Sequence, residues 1–475
     1  MLTRIKPIYF LALGILTISA AHTNVTIDMA GWIACVPFLL YLRQTKGLAS
    51  RFLFVLGLII AWSVCMTKIV SPPMPFAMVF LFSVPISLFH LPGYLLWDRF
   101  KDRKWSTLLF PSVMVIMEWI QYTYTPLASW GVAAYTQSHT LPVMQSLSLF
   151  GMPGLSLLVY WVNLSIAEIA LKKKPTMLTF YAPLSLLAVT VVLGGLRYEL
   201  SKANGQDTIT VAAVGTDSDI SGFPLPPKEL NDKVKQNLFT RTAQAAQSGA
   251  RIVVWNEAST YILPSEENAW RDSLSTLAKN TNVSIVAAYV APLSEAPMQY
   301  ENKYLFFDHT GSLLYTYHKH QPVPGEPAMK GTEPLQVFDI SGLKTGAVIC
   351  YDYDFPYLAK GYGQLGADLV ADPSSDWRGI DPVHTRMAAY RAIEQGHSIL
   401  RSTRFGLSAA ITPYGEFSAQ MSSYDHNDKI MMAHLPVKKV GTLYSMIGDV
   451  FVYVCMGFVA WFMVLGRKQV QLQPN

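Results

Sequence analysis

Eight long apolar segments limit what this chain can fold into. They cluster before about residue 197 and again near the C-terminus, and most approach the ~20 residues that a helix needs to cross a bilayer. With 51% hydrophobic and 15% charged residues, the 475-residue chain also differs from ordinary soluble proteins. We therefore predict membrane-spanning helices at residues 6–22, 29–43, 52–70, 76–97, 106–123, 152–171, 177–196 and 447–465.

Lys and Arg side chains lie at alternate ends of these segments. The short loops near 23–28, 71–75 and 124–151 contain neither residue type, whereas the opposite ends are basic. Positive charge near the ends of spans is retained on the cytoplasmic side, so both termini are predicted to be cytoplasmic, with residues 207–440 on the outer side. Topology explains the formal charge of +5, which therefore gives no support to nucleic-acid binding. The basic residues at the segment ends are Arg4, Lys6, Arg43, Lys46, Arg51, Arg99, Lys101, Arg103, Lys104, Lys172, Lys173, Lys174, Arg467 and Lys468.

The first apolar segment has a second interpretation. Arg4 and Lys6 precede it and it ends in Ser19-Ala20-Ala21, a pattern that also occurs in cleaved secretory signals. The alternation of charge is complete only if this segment is kept. We therefore expect it to be the first span.

Residues 207–440 have an ordinary globular composition and most of the acidic side chains. Strand-like and helix-like patterns alternate there, which predicts an α/β domain. The expected organisation is a membrane domain of seven spans at 1–200, a flexible linker at 201–206, the outer domain at 207–440, and a last span with a short tail at 446–475. Strands are predicted at 208–214, 251–255, 283–290, 303–308, 313–318, 345–350, 368–371 and 407–412, and helices at 227–249, 266–281 and 382–396.

Cys350 is the one cysteine outside the apolar segments, since Cys35, Cys65 and Cys455 lie within them. It has no disulfide partner in its own domain, and it follows the apolar stretch Gly346–Ile349, which is typical of a buried strand. A thiol in such a position is either a nucleophile or an inert buried side chain.

Glu257 and Lys319 also follow predicted strands. A protonated thiol needs a neighbouring base before it attacks, and Glu257 could accept its proton. An ammonium such as Lys319, with the backbone N–H of Tyr351, could stabilise the negative oxygen of a tetrahedral intermediate. Taken singly, Glu257 could equally be a surface acid and Lys319 part of a solvated turn.

The order Glu257, Lys319, Cys350 and the sequences around it resemble the nitrilase (carbon–nitrogen hydrolase) superfamily, which has a Glu-Lys-Cys triad on an αββα sandwich. The segment Lys319–Glu326 is similar to Lys-x-His-Leu-Val-Pro-Phe-Gly-Glu, and Ile349–Pro356 is similar to Ile-Cys-Tyr-Glu-x-x-Phe-Pro. With a domain of many spans in front, the chain is similar to the apolipoprotein N-acyltransferases of that superfamily. Further similar stretches are Gly366–Leu369, Met387–Glu394 and Leu400–Thr403.

The resemblance implies a two-step acyl transfer at a bacterial inner membrane. Cys350, activated by Glu257, would take an acyl chain from a membrane phospholipid as a thioester. It would then pass the chain to the N-terminal amine of a diacylglyceryl-cysteine lipoprotein. Glu326 matches a second glutamate that would orient Lys319 or shape the acceptor pocket. No cofactor or metal is implied, and the chain shows neither a zinc-type Cys/His spacing nor a phosphate-binding glycine loop.

Departures from the family pattern concentrate around the substrate. Asp352 replaces a glutamate and either supports the catalytic residues from behind or is a surface salt-bridge partner. Trp377, in the shortened segment 374–379, and Phe405, within Arg404-Phe405-Gly406, are either substrate contacts or packing residues. The alternatives are a membrane amidase, an N-acyltransferase with another amine acceptor, and a catalytically silent membrane scaffold or transporter.

Overall fold

The computed structural model describes residues 5–24, 27–70, 75–171, 176–203, 207–216, 224–425 and 427–471, with side chains described as far as 464. The chain divides into two compact units, one formed by Met1–Leu200 with Met446–Asn475 and the other by Ser201–Ser445. Its helices are α1 Pro7–His22, α2 Asp28–Gly31, α3 Val36–Gln44, α4 Leu48–Met66, α5 Val79–Phe100, α6 Ser106–Tyr124, α7 Leu141–Met144, α8 Leu147–Ala170, α9 Ala182–Ala203, α10 Lys228–Gln247, α11 Glu267–Thr281, α12 Pro356–Leu365, α13 Val383–Gln395, α14 Leu443–Ile447 and α15 Val450–Gln471.

The first unit is helical, and helices occupy all of the predicted spanning segments. The segment 29–43 is not one continuous helix. It is divided between α2 and α3, and the nine residues of α3 extend only about 14 Å, too short for a complete crossing. Among the residues that the structure describes, four helices are long and apolar enough to cross a membrane, namely Leu48–Met66, Phe76–Phe100, Leu147–Ala170 and Met177–Lys202, while Pro7–His22 and Val450–Val464 are shorter apolar helices.

Several parts of the predicted topology fall on residues that the structure does not describe. Arg4 and Lys172–Lys174 lie outside the described residues, as does 204–206 of the expected linker. The other half of that linker, Ser201–Ala203, is the last turn of α9, so the expectation of a flexible segment is wrong there. The total of eight spans and their orientation stay predictions.

The second unit is the predicted α/β domain. It contains two six-stranded sheets, ordered β12-β1-β2-β3-β4-β5 and β11-β10-β9-β8-β7-β6. All eight predicted strands are present, and four further strands, β6, β9, β11 and β12, were not predicted. The strands are β1 Thr208–Val214, β2 Ile252–Trp255, β3 Ser284–Glu295, β4 Met298–Phe307, β5 Leu313–His318, β6 Phe338–Ile340, β7 Leu343–Ala347, β8 Leu369–Ser375, β9 Ser398–Arg404, β10 Leu407–Ile411, β11 Phe417–Ser422 and β12 Ile430–Pro436.

The two sheets face each other, and helices cover their outer faces. Because side chains alternate along a strand, Val211 and Ala213 of β1 enter the core between the sheets, and Ala212 and Val214 pack with α10 and α11 on the other side. On the second sheet, α13 contacts β9 and β10, and α12 packs beside α13. The arrangement is the αββα sandwich that the family resemblance implies.

Strand direction brings the ends of several strands to one edge. In the first sheet, β2 is parallel to β3, and two antiparallel pairings then return β5 to the same direction. In the second sheet, β7, β8 and β9 are parallel. Across the sandwich, Glu257 N donates to Ser374 O at 3.3 Å, which joins the residues after β2 to the end of β8.

Candidate active site

The three predicted catalytic side chains are buried at strand ends. Glu257 lies two residues beyond β2, Lys319 directly follows β5, and Cys350 lies three residues beyond β7. Their exposed fractions are 4%, 2% and 3%. Charges in such a site interact strongly, since little water screens them.

Lys319 joins two carboxylates, that of the buried Glu257 and that of Glu326, whose side chain is 12% exposed. Its Nζ lies 2.8 Å from Glu257 Oε1 and 2.8 Å from Glu326 Oε2. Burial disfavours the ammonium, but the charges of Glu257 and Glu326 outweigh burial and raise the pKa of Lys319 well above its ordinary value. Lys319 is therefore a fixed positive charge. An ammonium has three N–H donors, so two carboxylate contacts leave one for a substrate oxygen.

Asn302 is a site residue that the sequence analysis missed. It lies in β4, is buried, and its Nδ2 donates to Glu257 Oε1 at 2.7 Å and to Glu326 Oε1 at 3.0 Å. The two amide hydrogens thus hold the two carboxylates on either side of Lys319. The only sequence signal was a polar residue on the core-facing side of a strand, a side that it shares with Tyr304.

Glu257 keeps one oxygen available for a proton. Lys319 and Asn302 both contact Oε1, and Oε2 accepts no hydrogen bond from the part of the chain that the structure describes. A carboxylate held in this way has one oxygen fixed by donors and one directed to a reactant. This is the arrangement that a general base needs.

Glu326, assigned from its Pro-Gly-Glu context, lies in the loop after Lys319. Besides Lys319 and Asn302, its carboxylate accepts from Val323 N at 2.8 Å and Tyr300 OH at 3.3 Å. Burial raises the pKa of this carboxyl, but Lys319 and these donors outweigh it, so the pKa is lowered. Glu326 is a carboxylate that fixes the position of Lys319.

Cys350 is not on the strand that was predicted to end with it. The strand β7 ends at Ala347, and Cys350 begins a single 3₁₀ turn, Cys350–Asp354. Its φ of 51° is in the left-handed region, which costs a non-glycine residue about 1–2 kcal/mol. The prediction of a strand over 345–350 is therefore wrong at its end, because the chain turns sharply at the thiol.

The Cys350 thiol is a weak acid in this position. Burial raises its pKa well above the ordinary value and the charge of Glu257 raises it further, while Lys319 partly opposes the change. Sγ lies 3.6 Å from Ser375 O. The thiol is therefore protonated at neutral pH, and a nucleophilic role would require a base.

The backbone of Cys350 is anchored to the second sheet. Its N–H donates to Asp372 Oδ1 at 2.9 Å, and Asp372 Oδ2 lies 2.5 Å from Arg401 Nη1. All three residues are buried. Arg401 belongs to the stretch Leu400–Thr403 that carried the family resemblance, whereas Asp372 had no signal of its own.

Tyr351 and Asp352 follow Cys350 in the turn. The Tyr351 ring packs edge-on against Phe355 at 5.3 Å, and its assignment as the amide donor to an oxyanion stays a prediction. The surface salt-bridge reading of Asp352 is wrong, because Asp352 is fully buried and accepts from Gln321 N at 2.6 Å and Tyr317 OH at 2.9 Å. Burial raises its pKa to about 7. Asp352 connects the Cys350 turn to the loop after Lys319.

Trp377 and Phe405 lie beyond neighbouring strands of the second sheet, and both are half-buried. Trp377 follows the end of β8. Phe405 has a φ of 52° between β9 and β10, its carbonyl accepts from Tyr424 OH at 2.6 Å, and its ring lies 5.4 Å from the Arg404 guanidinium carbon. Their assignment to substrate binding stays a prediction.

One group of potential metal ligands occurs in the described ranges of the chain. Ligand atoms of Cys350, Asp376 and His384 lie within 4.8 Å of one another. However, Arg401 Nη2 lies 2.9 Å from His384 Nδ1 and 3.2 Å from Asp376 Oδ1, which places a permanent positive charge beside two of the three. This is an ion-pair network, and we assign no metal to it.

Comparison with known families matches both units. The carbon-nitrogen hydrolase model matches residues 210–444, and the model of the apolipoprotein N-acyltransferase N-terminal domain matches residues 13–165.

The chain is similar over most of its length to proteins named apolipoprotein N-acyltransferase. It is 23% identical to that of Borreliella burgdorferi over 76% of this chain and 75% of the relative. Identity is 25% to that of Bradyrhizobium diazoefficiens, covering 78% and 77%, and 23% to that of Geobacter metallireducens, covering 91% and 90%. Among solved structures, an amidase from Nesterenkonia sp. matches with a TM-score of 0.41 at 20% identity, covering 52% of this chain and 95% of the amidase.

Proposed function

The chain is a divergent member of the apolipoprotein N-acyltransferase family within the nitrilase superfamily, and from this premise we propose that it is a phospholipid-dependent N-acyltransferase. Its acyl donor is a membrane phospholipid. Its acceptor is the N-terminal amine of a diacylglyceryl-cysteine lipoprotein, and Cys350 carries the acyl group between them.

One observation supports the proposal above all others. The buried ammonium of Lys319 lies 2.8 Å from the carboxylate of Glu257, and the charges of both act on the Cys350 thiol. We read these groups as a base, an oxyanion partner and a protonated nucleophile, in a chain whose described residues include four helices long and apolar enough to cross a membrane.

In the first step, Glu257 Oε2 takes the thiol proton of Cys350 as sulfur attacks the ester carbonyl carbon of the phospholipid. The negative oxygen of the tetrahedral intermediate accepts the remaining N–H of Lys319 and the backbone N–H of Tyr351. The intermediate collapses, the C–O bond breaks, and Glu257 returns the proton to the departing oxygen. The products are a lysophospholipid and a thioester on Cys350.

In the second step, the uncharged α-amine of the acceptor attacks the thioester carbon. Glu257 takes one proton from nitrogen, the C–S bond breaks, and the proton passes to the Cys350 thiolate. The thioester preserves acyl-transfer potential between the steps, so the reaction needs no nucleotide. The enzyme returns to its starting state with a thiol and an ionised Glu257.

The proposed location follows from charge alternation. Both termini are cytoplasmic and residues 207–440 are on the periplasmic side of a bacterial inner membrane, where the phospholipid of the outer leaflet supplies acyl chains.

Complementation tests the acceptor. In a strain depleted of its own apolipoprotein N-acyltransferase, the wild-type gene should restore growth and Cys350→Ser should not. Immunoblots must show equal amounts of the two proteins. Growth without restoration of N-acylated lipoprotein, or no growth with well-expressed wild type, would contradict the proposed acceptor.

A second candidate keeps the chemistry and changes the acceptor to water or another amine. It is favoured by the departures at residues 374–379 and at Arg404-Phe405-Gly406. Under this alternative, purified protein with phospholipid would release free fatty acid by hydrolysis, or would form an amide with an added amine other than the lipopeptide, at the rate at which the thioester turns over. Little of either product, with rapid N-acylation of an added lipopeptide, would exclude it.

A further inference from the structure

The turn that carries Cys350 needs restraint at both ends. Cys350 occupies the left-handed region of φ at the start of the turn, and all of Cys350–Asp354 is buried. Backbone in this conformation persists only where its surroundings enforce it. The first end is held by Asp372, which accepts the Cys350 N–H at 2.9 Å and is itself paired with Arg401.

The last residue of the turn is held by a histidine that the proposed mechanism does not use. His384, from α13, lies with Nε2 3.1 Å from Asp354 Oδ1 and with Nδ1 2.6 Å from Asp376 Oδ1. A neutral imidazole has only one N–H, so it cannot donate to two carboxylates. With a carboxylate facing each ring nitrogen, the site favours an imidazolium with both nitrogens protonated, and the two carboxylates outweigh the opposing charge of Arg401, whose Nη2 lies 2.9 Å from Nδ1.

The two ends belong to one network. Arg401 pairs with Asp372 through Nη1 and with Asp376 through Nη2, and Asp376 Oδ1 also faces His384. Three carboxylates are thereby balanced against Arg401 and a charged His384. Each residue of the network is buried, so loss of one positive charge removes a favourable contact from a carboxylate in a medium that screens poorly.

We propose that His384 is a positioning residue for Cys350, and that its protonated ring ties Asp354, at the end of the nucleophile turn, to the network that anchors the Cys350 amide. The effect on reaction rate rests on the proposed function, because it requires Cys350 to be the nucleophile. The effect on the order of the turn does not depend on the proposed function.

The charge on His384 sets the pH range of this restraint. The groups that face it are Asp354 from the turn, Asp376 from the end of β8 and Arg401 from β9, with the Cys350 thiol within 4.8 Å. Burial and the nearby charge of Arg401 oppose the imidazolium, but Asp354 and Asp376 outweigh both and raise the pKa of His384 to about 9. With a raised pKa, the restraint is complete below about pH 6.5, the ordinary histidine value, and is lost as pH rises through about 9.

The test measures single-turnover formation of the Cys350 thioester by full-length protein in detergent from pH 6 to 10. In the wild type, the rate of thioester formation should fall as pH rises through about 9. In His384→Gln, whose amide can serve only one carboxylate, the rate at pH 7 should fall at least tenfold and that alkaline loss should disappear. In Asp354→Asn, the rate at pH 7 should fall by a similar factor. The double variant should be no slower than the slower single variant, since both substitutions break the same contact between His384 and Asp354.

His397→Gln is the matched control. His397 is equally buried and contacts the same turn, but through the neutral hydroxyl of Tyr353 at 2.5 Å, and burial lowers its pKa to about 3. The variant should keep the alkaline loss near pH 9. An unchanged pH profile in His384→Gln, or additive effects of His384→Gln and Asp354→Asn, would overturn the proposal.

A second measurement separates this proposal from the proposed function. If wild type forms no thioester, the proposed function fails, but iodoacetamide still reports on the turn. Alkylation of Cys350 at pH 7 should be several-fold faster in His384→Gln and in Asp354→Asn than in wild type or His397→Gln, because a loosened turn exposes the thiol. Equal alkylation rates in all four proteins would contradict the positioning role.

Discussion

Replacement of Lys319 by methionine measures separately what this side chain contributes to catalysis and what it contributes to stability. Methionine has a similar length and no charge, so Lys319→Met leaves Glu257 and Glu326 without their shared ammonium, with side chains only 5% and 12% exposed. Breaking a buried ion pair by removing one partner costs about 3–5 kcal/mol of folding stability. Loss of an oxyanion donor slows acyl transfer by about 10²–10³-fold.

A second buried lysine provides the control. Lys303 is 3% exposed and also joins two carboxylates, those of Glu301, at 2.5 Å, and Glu267. It lies on the opposite face of β4 from Asn302, so it points away from the site. Lys303→Met should lower the Tm by less than Lys319→Met, since its partners are more exposed, and should form the thioester at nearly the wild-type rate.

The assay is mass spectrometry of the Cys350 peptide after incubation of folded, detergent-purified protein with phospholipid. Rates are normalised to the folded fraction, which removes the effect of stability. Thioester formation in Lys319→Met within threefold of that in Lys303→Met would refute the assignment of Lys319.

Three further predictions concern the outer domain. Burial raises the pKa of Asp352 to about 7, so the stability that this carboxyl contributes is lost as pH rises from 3.8 to about 7. The Tm of wild type relative to that of Asp352→Asn should therefore fall over this range, and a constant difference between the two would contradict the burial argument. The raised pKa of Cys350 predicts that iodoacetamide at pH 7 alkylates the native thiol at least tenfold more slowly than the urea-unfolded thiol, as counted by mass spectrometry; equal rates would be inconsistent with it. Gly346→Ala would place a Cβ 2.4 Å from Tyr362 Cε1 and should cost about 1–3 kcal/mol in chemical unfolding, and an unchanged midpoint would show that the ring can move.

Local sequence patterns were sufficient to predict much of the fold. Strands such as β1 and β5 have apolar or β-branched alternation within one run of sequence, and their bounds are as predicted. The strand β9 was missed because Arg401 and Arg404 make its sequence look exposed. The structure buries both, and Arg401 is accommodated only because Asp372 and Asp376 come from elsewhere in the chain.

Residues of the candidate site were predictable where the neighbouring sequence is enough to identify them. Cys350, Glu257 and Lys319 each follow a recognisable strand and match a family motif. Asn302 and His384 do not, because their roles depend on partners brought near by the pairing of sheets and by the packing of α13. The positive φ of Cys350 is likewise a result of the fold, since nothing in Ile349-Cys350-Tyr351 requires a turn.

The most direct test of the account is a two-step chase on Cys350. Purified protein is first loaded with an isotopically labelled phospholipid and then mixed with a synthetic diacylglyceryl-cysteine peptide. We expect a labelled thioester on Cys350 that disappears as labelled N-acyl peptide appears at the same rate, with neither species in Cys350→Ser. Labelled N-acyl peptide in Cys350→Ser, or a thioester that persists in the presence of the peptide, would contradict it.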